Sequence, residues 1–413
     1  MTSYDTIVIG AGAAGLATAI FAARARPDAR VLLLESAQRP GAKILVSGGG
    51  RCNVTNAAVS ETDFWGGKPS IVRRILRGLP VADTVHFFAD LGVALHEEAG
   101  GKLFPDTNRA RDVVDALLRG VNEAGADLVT SARVHSVARN AGTFLLDTSA
   151  GPFRARAVVL ATGGRSLPKT GSDGAGYDIA VSLGHTIVPT TPALAPLLLD
   201  TDTPYSIHAK LSGVAVEGEI TVWIGNAVAL RLRGALLWTH FGVSGPLALN
   251  ASRHWARGQR EERAALSLNF YPALDFERVD VLWIRAAADR PAATLRSTLA
   301  AQVPDAVAQA ILDVLHLPSD QPLATFTRAD RRRLVHAVTE WPLPVSGTRG
   351  YNFAEVTAGG VPLTEIDPAT MESRACPGLH LVGEILDVDG RIGGFNFQWA
   401  WSTAALAGRS VGG

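Results

Sequence analysis

The chain has 413 residues, of which 47% are hydrophobic and 19% are charged, and its formal net charge at pH 7 is zero. This length is more than one hydrophobic core fills and predicts two or three domains. A neutral chain has no bulk attraction to nucleic acid or a membrane surface, and no apolar run reaches the roughly 18 residues of a membrane span. Two cysteines, Cys52 and Cys376, are too few for a disulfide framework, so a reducing cytoplasm is the expected setting. We expect an enzyme, monomeric or homodimeric, with a small-molecule substrate.

Residues 4–35 carry the pattern of a dinucleotide-binding unit. An apolar strand pattern ends at Gly10, the run G-A-G-A-A-G follows, an Ala-rich helix pattern comes next, and a second apolar strand ends in Glu35. Glu35 lies 20 residues beyond Gly15, at the spacing typical of this unit. The complete order predicts a site for an ADP-containing cofactor. The alternative is a glycine-rich turn that binds nothing.

Each part of this unit has a physical role. Gly10 permits the tight turn, Gly12 lets backbone amides approach a pyrophosphate, and Gly15 lets the helix pack against the strand. The start of the helix, which includes Ala14, offers unpaired N–H groups and a partial positive charge to the anion. Glu35 is expected to accept hydrogen bonds from the adenosine ribose and to repel a 2′-phosphate.

Small and polar residues follow in the stretch 40–56. Four small residues in a row form neither a stable helix nor a central strand. Bare backbone lets a flat ring or a phosphate approach closely, so we predict cofactor contacts here and candidate catalytic roles for Arg51 and Asn53. A flexible surface loop is the alternative. The predicted cofactor contacts are Lys43, Ser47, Gly48, Gly49, Gly50 and Arg51.

The region from 69 to 160 shows alternating helix and strand patterns. Apolar positions three and four residues apart predict the helices, and period-two runs between turn residues predict the strands. The predicted helices are 69–79, 81–91 and 111–125, the predicted hairpin is 95–103, and the predicted strands are 127–131, 134–139, 144–148 and 153–160.

A second glycine-rich turn, A-T-G-G, follows the last of these strands. In isolation this tetrapeptide is a common strand–turn connection. After a complete dinucleotide-binding unit, it predicts that the chain returns to the cofactor crevice, where glycine lets the backbone pass close to the adenylate or pyrophosphate. The cofactor contacts predicted in this part of the chain are Val134, Ala161, Thr162, Gly163 and Gly164.

Beyond residue 190 the pattern changes to short β-branched runs punctuated by proline, which predicts an antiparallel sheet or barrel. The predicted strands are 214–216, 219–224, 227–232 and 266–271, and the predicted helices are 279–288, 292–302, 306–315 and 329–338. The predicted domains are a nucleotide-binding domain in two parts (1–190 and 354–413), an inserted β-barrel (191–274), a helical bundle (275–338) and a return strand of the barrel (339–353).

Two features of the insertion invite other functions. The arginines at positions 328, 331, 332 and 333 suggest a nucleic-acid interface, but Asp330 lies among them and no stacking aromatic residues are interleaved. A solvated helix face is therefore the favoured interpretation. His240 follows a strand pattern in a glycine-containing turn, and a structural role is favoured over contact with a substrate.

The last 70 residues return to the nucleotide-binding domain through a terminal strand and a final helix. Gly383 and Glu384 end the strand, and Glu384 is placed like an acidic residue that binds a ribityl hydroxyl. The backbone amides and the dipole of the final helix would stabilise negative charge on the pyrimidine edge of a reduced flavin. Asn396 and Gln398, with Arg51 and Asn53, are side chains expected to hold a substrate carbonyl. The predicted cofactor contacts here are Gly383, Glu384, Gly393, Gly394, Phe395 and Asn396.

Three motifs carry a family resemblance: S-G-G-G-R-C-N at 47–53, T-H-F-G-V-S-G-P at 239–246, and G-E-I-L-D-V-D-G-R-I-G-G-F-N-F-Q-W-A at 383–400. With the N-terminal unit, they resemble the BaiN-like (YhiN-type) bacterial flavoproteins, a family that includes a bile-acid-type enone reductase. The resemblance implies an α/β fold, in which a Rossmann-like FAD-binding domain of two-dinucleotide-reductase type carries an inserted antiparallel β-barrel and a helical bundle. It implies one non-covalent FAD and does not imply a bile-acid substrate.

Several expected features of other flavoenzymes are missing from the sequence. No second G-x-G-x-x-G unit offers a nicotinamide domain, although NADH or NADPH is a candidate electron donor. Cys52 has no dithiol partner, so it is either a buried small residue or a residue over the flavin, and no metal site is expected. The sequence predicts an FAD-dependent oxidoreductase that reduces a conjugated or oxidised small molecule by hydride transfer through flavin N5. The alternatives are an oxygen-using oxidase or hydroxylase, an RNA-modifying flavoprotein and a redox sensor without turnover.

Overall fold

A computed structural model describes residues 2–261 and 263–412 and contains two compact units. Unit 1 combines Met1–Thr191 with Glu355–Gly413, and unit 2 is Pro192–Ala354. No helix in the described part of the chain is both long and apolar enough to cross a membrane.

The strands are β1 (Thr2–Ile9), β2 (Val31–Leu34), β3 (Thr55–Asn56), β4 (Phe64–Gly66), β5 (Leu95–Glu98), β6 (Lys102–Pro105), β7 (Asp127–Val129), β8 (Val134–Asn140), β9 (Thr143–Thr148), β10 (Phe153–Leu160), β11 (Val188–Ala193), β12 (Leu197–Leu199), β13 (Ala215–Ile224), β14 (Ala227–Thr239), β15 (Gly242–Ser244), β16 (Ala264–Asn269), β17 (Trp341–Leu343), β18 (Val345–Thr348), β19 (Val356–Gly360), β20 (Leu379–Leu381) and β21 (Val388–Gly390). The helices are α1 (Ala13–Ala25), α2 (Ala42–Val46), α3 (Pro69–Leu76), α4 (Val81–Asp90), α5 (Ala110–Glu123), α6 (Ala175–Ser182), α7 (Gly245–Glu261), α8 (Phe276–Asp289), α9 (Leu295–Leu299), α10 (Asp305–Val314), α11 (Arg328–Thr339) and α12 (Phe395–Gly412).

The central sheet of unit 1 has the strand order β7-β2-β1-β10-β9-β8, and β20 pairs with the last residues of β10. The pairs β7–β2, β2–β1, β1–β10 and β10–β20 are parallel, whereas β8, β9 and β10 form an antiparallel meander. All four residues of β2 and the last four of β1 are buried, as expected for strands covered on both faces. The predicted α/β class with a Rossmann-like parallel sheet is confirmed.

Helix α12 packs along α1 and is largely buried. A Cβ atom on Gly408 would lie 2.6 Å from Cβ of Phe21 and 2.9 Å from the carbonyl oxygen of Thr18. Only glycine permits this close approach of the two helices. Because α1 is anchored on the sheet by Gly15, the contact fixes where the N-terminus of α12 lies relative to the first glycine-rich turn.

Unit 2 is built on a seven-stranded antiparallel sheet with the order β17-β16-β13-β14-β15-β12-β18. Its edge strands β17 and β18 are separated in sequence only by Pro344. One short segment therefore pairs with β16 on one side and with β12 on the other, which closes the strands into a barrel-like ring. Trp238, Trp341 and Phe270 are fully buried in its core. Helices α8 and α11 pack together, with Arg331 Nε 2.8 Å from Asp280 Oδ1.

Three predicted element boundaries in unit 2 are wrong. The strands predicted for 214–216 and 219–224 are one strand, Ala215–Ile224, because a Cβ atom on Gly218 would lie 2.7 Å from Leu268 Cδ1 and glycine serves packing there rather than a turn. The strand predicted for 227–232 continues to Thr239. The helix predicted for 292–302 is only α9, which begins after the capping residue Thr294.

Candidate functional site

The carboxyl ends of four parallel strands meet at one edge of the sheet in unit 1. Gly10 N donates to the carbonyl oxygen of Leu34 at 2.8 Å, Ala161 N to that of Ile9 at 2.9 Å, and Val382 N to that of Leu160 at 3.0 Å. The segments that follow β1, β2, β10 and β20 are therefore neighbours. Ligands of open α/β sheets bind in the crevice at this edge.

The three glycines of the first turn have different environments. Gly10 has a φ of 101°, and a Cβ atom there would lie 2.6 Å from the Ala161 carbonyl oxygen. A Cβ atom on Gly15 would lie 1.8 Å from the Gly10 carbonyl oxygen, so both positions require glycine for packing. A Cβ atom on Gly12 would meet nothing within 4 Å. Gly12 thus faces open space at the N-terminus of α1, where an anion is favoured.

Glu35 is buried at the end of β2, and its carboxylate is held by backbone amides. Oε2 accepts a hydrogen bond from Ala11 N at 2.7 Å, and Oε1 accepts one from Ala37 N at 2.8 Å. Oε1 also accepts a hydrogen bond from Ser36 Oγ at 3.2 Å, so Oε2 is the oxygen that retains a lone pair for a ligand hydroxyl. Ala132 N donates to the Glu35 carbonyl oxygen at 2.8 Å, which brings Val134, the first residue of β8, to the same side of the crevice.

Lys43 and Glu384, far apart in sequence, form the polar centre of the crevice. Lys43 Nζ lies 2.7 Å from Glu384 Oε2, and the two side chains are 24% and 17% exposed. Ser166 Oγ lies 2.8 Å from Lys43 Nζ and donates to Glu384 Oε1 at 2.7 Å. Ser172 Oγ accepts from Lys43 at 3.2 Å, and Thr357 N donates to Glu384 Oε1 at 3.0 Å. Sequence reasoning found the two charged residues and missed the three hydroxyl residues around them.

The second glycine-rich turn makes room for this network. A Cβ atom on Gly164 would lie 2.4 Å from Thr357 Oγ1 and 2.8 Å from Glu384 Oε1. Gly163 has a φ of 72°, a conformation that favours glycine. The preceding Thr162 has a buried hydroxyl with no partner among the described residues. The turn therefore lines the crevice, and the Thr162 hydroxyl is its unpaired polar group among the described residues.

Gly383, which follows the terminal strand β20, packs against the start of helix α1. A Cβ atom there would lie 2.9 Å from Ala14 Cβ, and its φ is 74°. Its amide donates to Thr403 Oγ1 at 3.0 Å, and its carbonyl oxygen accepts from Trp399 Nε1 at 3.2 Å. Helix α12 thus holds the strand end that presents Glu384.

The loop after α2 turns sharply at its glycines. Gly48 and Gly49 have φ values of 56° and 68°, and a Cβ atom on Gly49 would meet nothing within 4 Å. Cys52 is fully buried beside Val54, and this burial raises the pKa of its thiol to about 12. Its complete burial favours the interpretation of Cys52 as a buried small residue.

Arg51 is held on the β5–β6 hairpin. Its Nη1 lies 2.7 Å from Glu98 Oε1, and its guanidinium carbon lies 4.0 Å from the centre of the Phe104 ring. Asn108 Oδ1 accepts a further bond at 3.4 Å. The hydrogen bond from Arg51 holds the pKa of Glu98 below its usual value. The Arg51 side chain can therefore move towards a ligand only if its ion pair with Glu98 breaks.

Side chains at the start of α12 are committed to structure. Asn396 donates to the Gly390 carbonyl oxygen at 2.9 Å and accepts from Gly390 N at 2.8 Å. Gln398 is 1% exposed and bonds Leu79 O, Thr84 Oγ1, Ser402 Oγ and Thr55 Oγ1. The prediction that these two side chains hold a substrate carbonyl is wrong, because their amide groups are already used.

Phe395 is also buried, under the guanidinium of Arg391 at 4.1 Å and against the edge of Phe64. The first turn of α12 therefore offers a ligand its backbone amides rather than its side chains. Gly393 and Gly394, which precede this turn, have φ values of 124° and 94°, conformations that favour glycine. Among the described residues, no group of three or more His, Cys, Asp or Glu side chains is placed to hold a metal ion.

The family described as HI0933-like protein Rossmann domain matches residues 4–410, so this chain belongs to that family. It is similar to the 3-dehydro-bile acid delta(4,6)-reductase of Clostridium scindens, with 34% identity over 98% of each chain. It is also similar to the ribosomal RNA dihydrouridine synthase of Escherichia coli, with 36% identity over 98% of this chain and 97% of the relative. These matches confirm the resemblance predicted from the motifs and make the chain a flavin-dependent oxidoreductase.

A solved structure of Escherichia coli quinol fumarate reductase covers the whole chain. Its TM-score is 0.52 at 15% identity, and 70% of that chain is matched. Likeness at this level shows a shared fold alone.

Proposed function

We propose that this member of the HI0933-like family is an FAD-dependent reductase that saturates a C=C bond conjugated with a carbonyl group. Two full-length relatives are named for a delta(4,6) bile-acid reduction and for dihydrouridine synthesis. A steroid and a uracil base have little in common except a double bond activated by a neighbouring carbonyl. This shared chemistry is the observation that carries the proposal.

Several features of the crevice support FAD as its ligand. Open space beyond Gly12 at the start of α1 suits a pyrophosphate, and the free lone pair on Oε2 of the amide-bound Glu35 carboxylate suits a hydroxyl of a ribose. Buried Asn53 Oδ1 and Thr162 Oγ1 have no partner in the described part of the chain. Such atoms are costly unless a ligand or water pairs with them. The residues present therefore fit this cofactor.

The chain supplies a holder for each part of FAD in this proposal. The ADP half is assigned to the first glycine-rich turn and Glu35, and the ribityl chain to Lys43 and Glu384. The pyrimidine end of the ring is assigned to the backbone at the start of α12. When bound and reduced by NADH or NADPH, FAD supplies the hydride.

The remaining task of the protein is to stabilise charge on the substrate carbonyl. A carbonyl conjugated with the double bond gains negative charge as hydride arrives, and preorganised donors lower that barrier. The enolate formed in this way takes its second hydrogen as a proton from solvent, which completes the saturated product. Arg51 and Asn53 stay our candidates for this role, and loss of one such donor typically costs about 2.7–4 kcal/mol. Arg51 has to exchange its bond to Glu98 for the carbonyl.

The experiment that tests the proposal is anaerobic stopped-flow absorbance. The purified yellow protein is reduced with NADH or NADPH and then mixed with a 4-en-3-one steroid, its saturated 3-ketone, or a uridine-containing RNA. We expect reoxidation by a conjugated acceptor and none by the saturated ketone. Two results would overturn the proposal: equal rates of flavin reoxidation by the enone and by the saturated ketone, or no reoxidation by either the enone steroid or the RNA.

A second candidate is reduction of uridine within ribosomal RNA. It is favoured by the 36% identity to the dihydrouridine synthase over almost the whole chain. Binding to RNA phosphates would weaken steeply with salt, whereas binding of a free steroid would not. Reoxidation by RNA alone, at a salt-dependent rate, would select this candidate. Faster reoxidation by oxygen than by either acceptor would select an oxidase or hydroxylase instead.

A further inference from the structure

Asn53 is a buried amide whose oxygen lacks a hydrogen-bond partner. Only 8% of the residue is exposed, and Oδ1 contacts no donor among the residues that the structure describes. Buried amide groups in folded proteins are nearly always bonded to protein, water or ligand, because an unpaired one is destabilising. The unpaired oxygen therefore points to a ligand that brings a donor to it.

This oxygen is aimed at the N-terminus of α12. A Cβ atom on Gly394 would lie 2.9 Å from Asn53 Oδ1 and 2.4 Å from the Thr55 carbonyl oxygen, so only glycine fits between them. The first hydrogen bond of the helix runs from Gln398 N to Gly394 O at 3.0 Å. The amides of residues 395–397 thus precede the helical ladder, and the helix dipole makes them favourable for a carbonyl oxygen.

We propose that Asn53 and these N-terminal amides bind an imide edge, that is, a ring N–H flanked by two carbonyl groups. The Asn53 oxygen accepts the ring N–H, its amide nitrogen donates to one carbonyl, and the helix amides donate to the other. A phosphate or carboxylate would leave the acceptor unpaired, because it brings only oxygen atoms. A hydrocarbon would leave every one of these groups unpaired.

Two molecules in the proposed reaction carry an imide edge. One is the flavin ring of FAD, and the other is the uracil base of an RNA substrate, whereas a steroid enone has none. The inference rests on the proposed function and sharpens it. If the flavin supplies the edge, Asn53 is a cofactor ligand, and Arg51 alone remains the candidate donor to the substrate carbonyl. If the substrate supplies it, the substrate class is a pyrimidine.

The cofactor arm of the test compares binding of FAD with binding of N3-methyl-FAD, which lacks the ring N–H. Wild-type protein is compared with Asn53→Leu, which removes both amide atoms, and with Asn53→Asp, which replaces the donor with a second acceptor. Asn140→Leu alters an exposed asparagine of β8 and is the matched control. The dissociation constants are measured from quenching of flavin fluorescence during reconstitution.

If the flavin supplies the edge, wild type and Asn140→Leu bind FAD about tenfold more tightly than N3-methyl-FAD, the effect of one hydrogen bond. Asn53→Leu does not distinguish the two flavins. Asn53→Asp still distinguishes them, because its carboxylate accepts the N–H, but binds both less tightly. If Asn53→Leu does not fold, the comparison is between wild type and Asn53→Asp, and the expected result is weaker binding of both flavins by Asn53→Asp.

The substrate arm follows reoxidation of the reduced holoenzymes by a uridine oligonucleotide and by its N3-methyluridine counterpart. If the substrate supplies the edge, wild type prefers uridine about tenfold and Asn53→Leu has no preference, while FAD affinities are unchanged. Lack of discrimination by wild type in both arms overturns the inference, and so does discrimination that persists in Asn53→Leu. Normal FAD binding and reduction by NADPH would leave the proposed function standing in that case, whereas a wild type that binds no FAD overturns both.

Discussion

Two buried amides in unit 1 show how differently a polar side chain contributes to a site. Gln398 uses its amide on four groups from α4, β3, α12 and the turn before α4, so it ties these elements together. Asn53 is nearly as buried, and its oxygen bonds to nothing in the described structure. A fully bonded amide supports the fold, whereas an unpaired one is explained by a ligand.

Substitutions of the glycines in the first turn should have the largest effects. They contrast a position that serves the ligand, Gly12, with one that serves the fold, Gly15. Gly12→Val should fold, because its side chain enters open space, and should retain no FAD, because that space is assigned to the pyrophosphate. Gly15→Val should not fold, since its Cβ atom would overlap the Gly10 carbonyl oxygen. Flavin absorbance and circular dichroism of the purified variants check both outcomes. A yellow Gly12→Val protein would remove the phosphate site from this turn.

The amide comparison itself is tested by two leucine substitutions. Gln398→Leu should lower the free energy of unfolding by about 3 kcal/mol, because several buried partners lose their bonds at about 1–3 kcal/mol each. Asn53→Leu should leave the stability of the FAD-free protein unchanged or raise it, because an unpaired amide is removed. Urea unfolding of the FAD-free proteins measures both. Equal losses in the two variants would show that Asn53 has a structural partner.

Burial of a polar group also sets a pH dependence in unit 2. Burial, together with Arg253 and Arg257, lowers the pKa of His254 from 6.5 to about 3. Below pH 6.5 the unfolded chain takes up a proton that the folded protein does not, so stability is lost as the pH falls towards 3. About 2 kcal/mol should be lost between pH 7 and pH 5.

Denaturant unfolding of His254→Gln over this range measures the effect. The variant should lose that part of the pH dependence, and His336→Gln, on the exposed side of α11, should keep it. A slope that is the same in wild type and His254→Gln would assign the acid sensitivity to other groups.

Two ion pairs give the smallest expected effects. A double-mutant cycle on Lys43 and Glu384 should give a coupling energy of about 1–2 kcal/mol, because the pair is largely buried and shares Ser166. The pair of Arg51 and Glu98 is 40% and 35% exposed, so its coupling should be weaker and should decrease with salt. Salt-independent coupling at Arg51 would indicate that this arginine is held more firmly than the structure shows.

The local parts of the fold and site could be predicted from sequence. Gly10, Gly12, Gly15 and Glu35 occur at fixed short spacings that the strand–turn–helix geometry dictates. The apolar periodicity gave the parallel strands for the same reason, since each strand's burial depends on residues close in sequence.

The remaining parts depend on contacts that no local pattern records. Ser166 bonds Lys43 and Glu384, and Thr357 N bonds Glu384, only after distant segments meet, and an isolated hydroxyl residue has no periodic signature. The polar motif around Gln398 predicts a substrate contact, but the packing of α12 directs its side chain into the protein. A polar residue after the A-T-G-G turn was the one signal that could have identified Ser166.

The central claim is that the protein saturates an activated C=C bond and leaves the carbonyl intact. It is tested most directly by mass spectrometry and NMR of the product formed when NADPH-reduced protein consumes a 4-en-3-one steroid or a uridine oligonucleotide without oxygen. The account predicts a product that has gained two hydrogen atoms across the double bond and keeps its carbonyl group. An alcohol formed from the carbonyl, or flavin reoxidation without any new product, would contradict it.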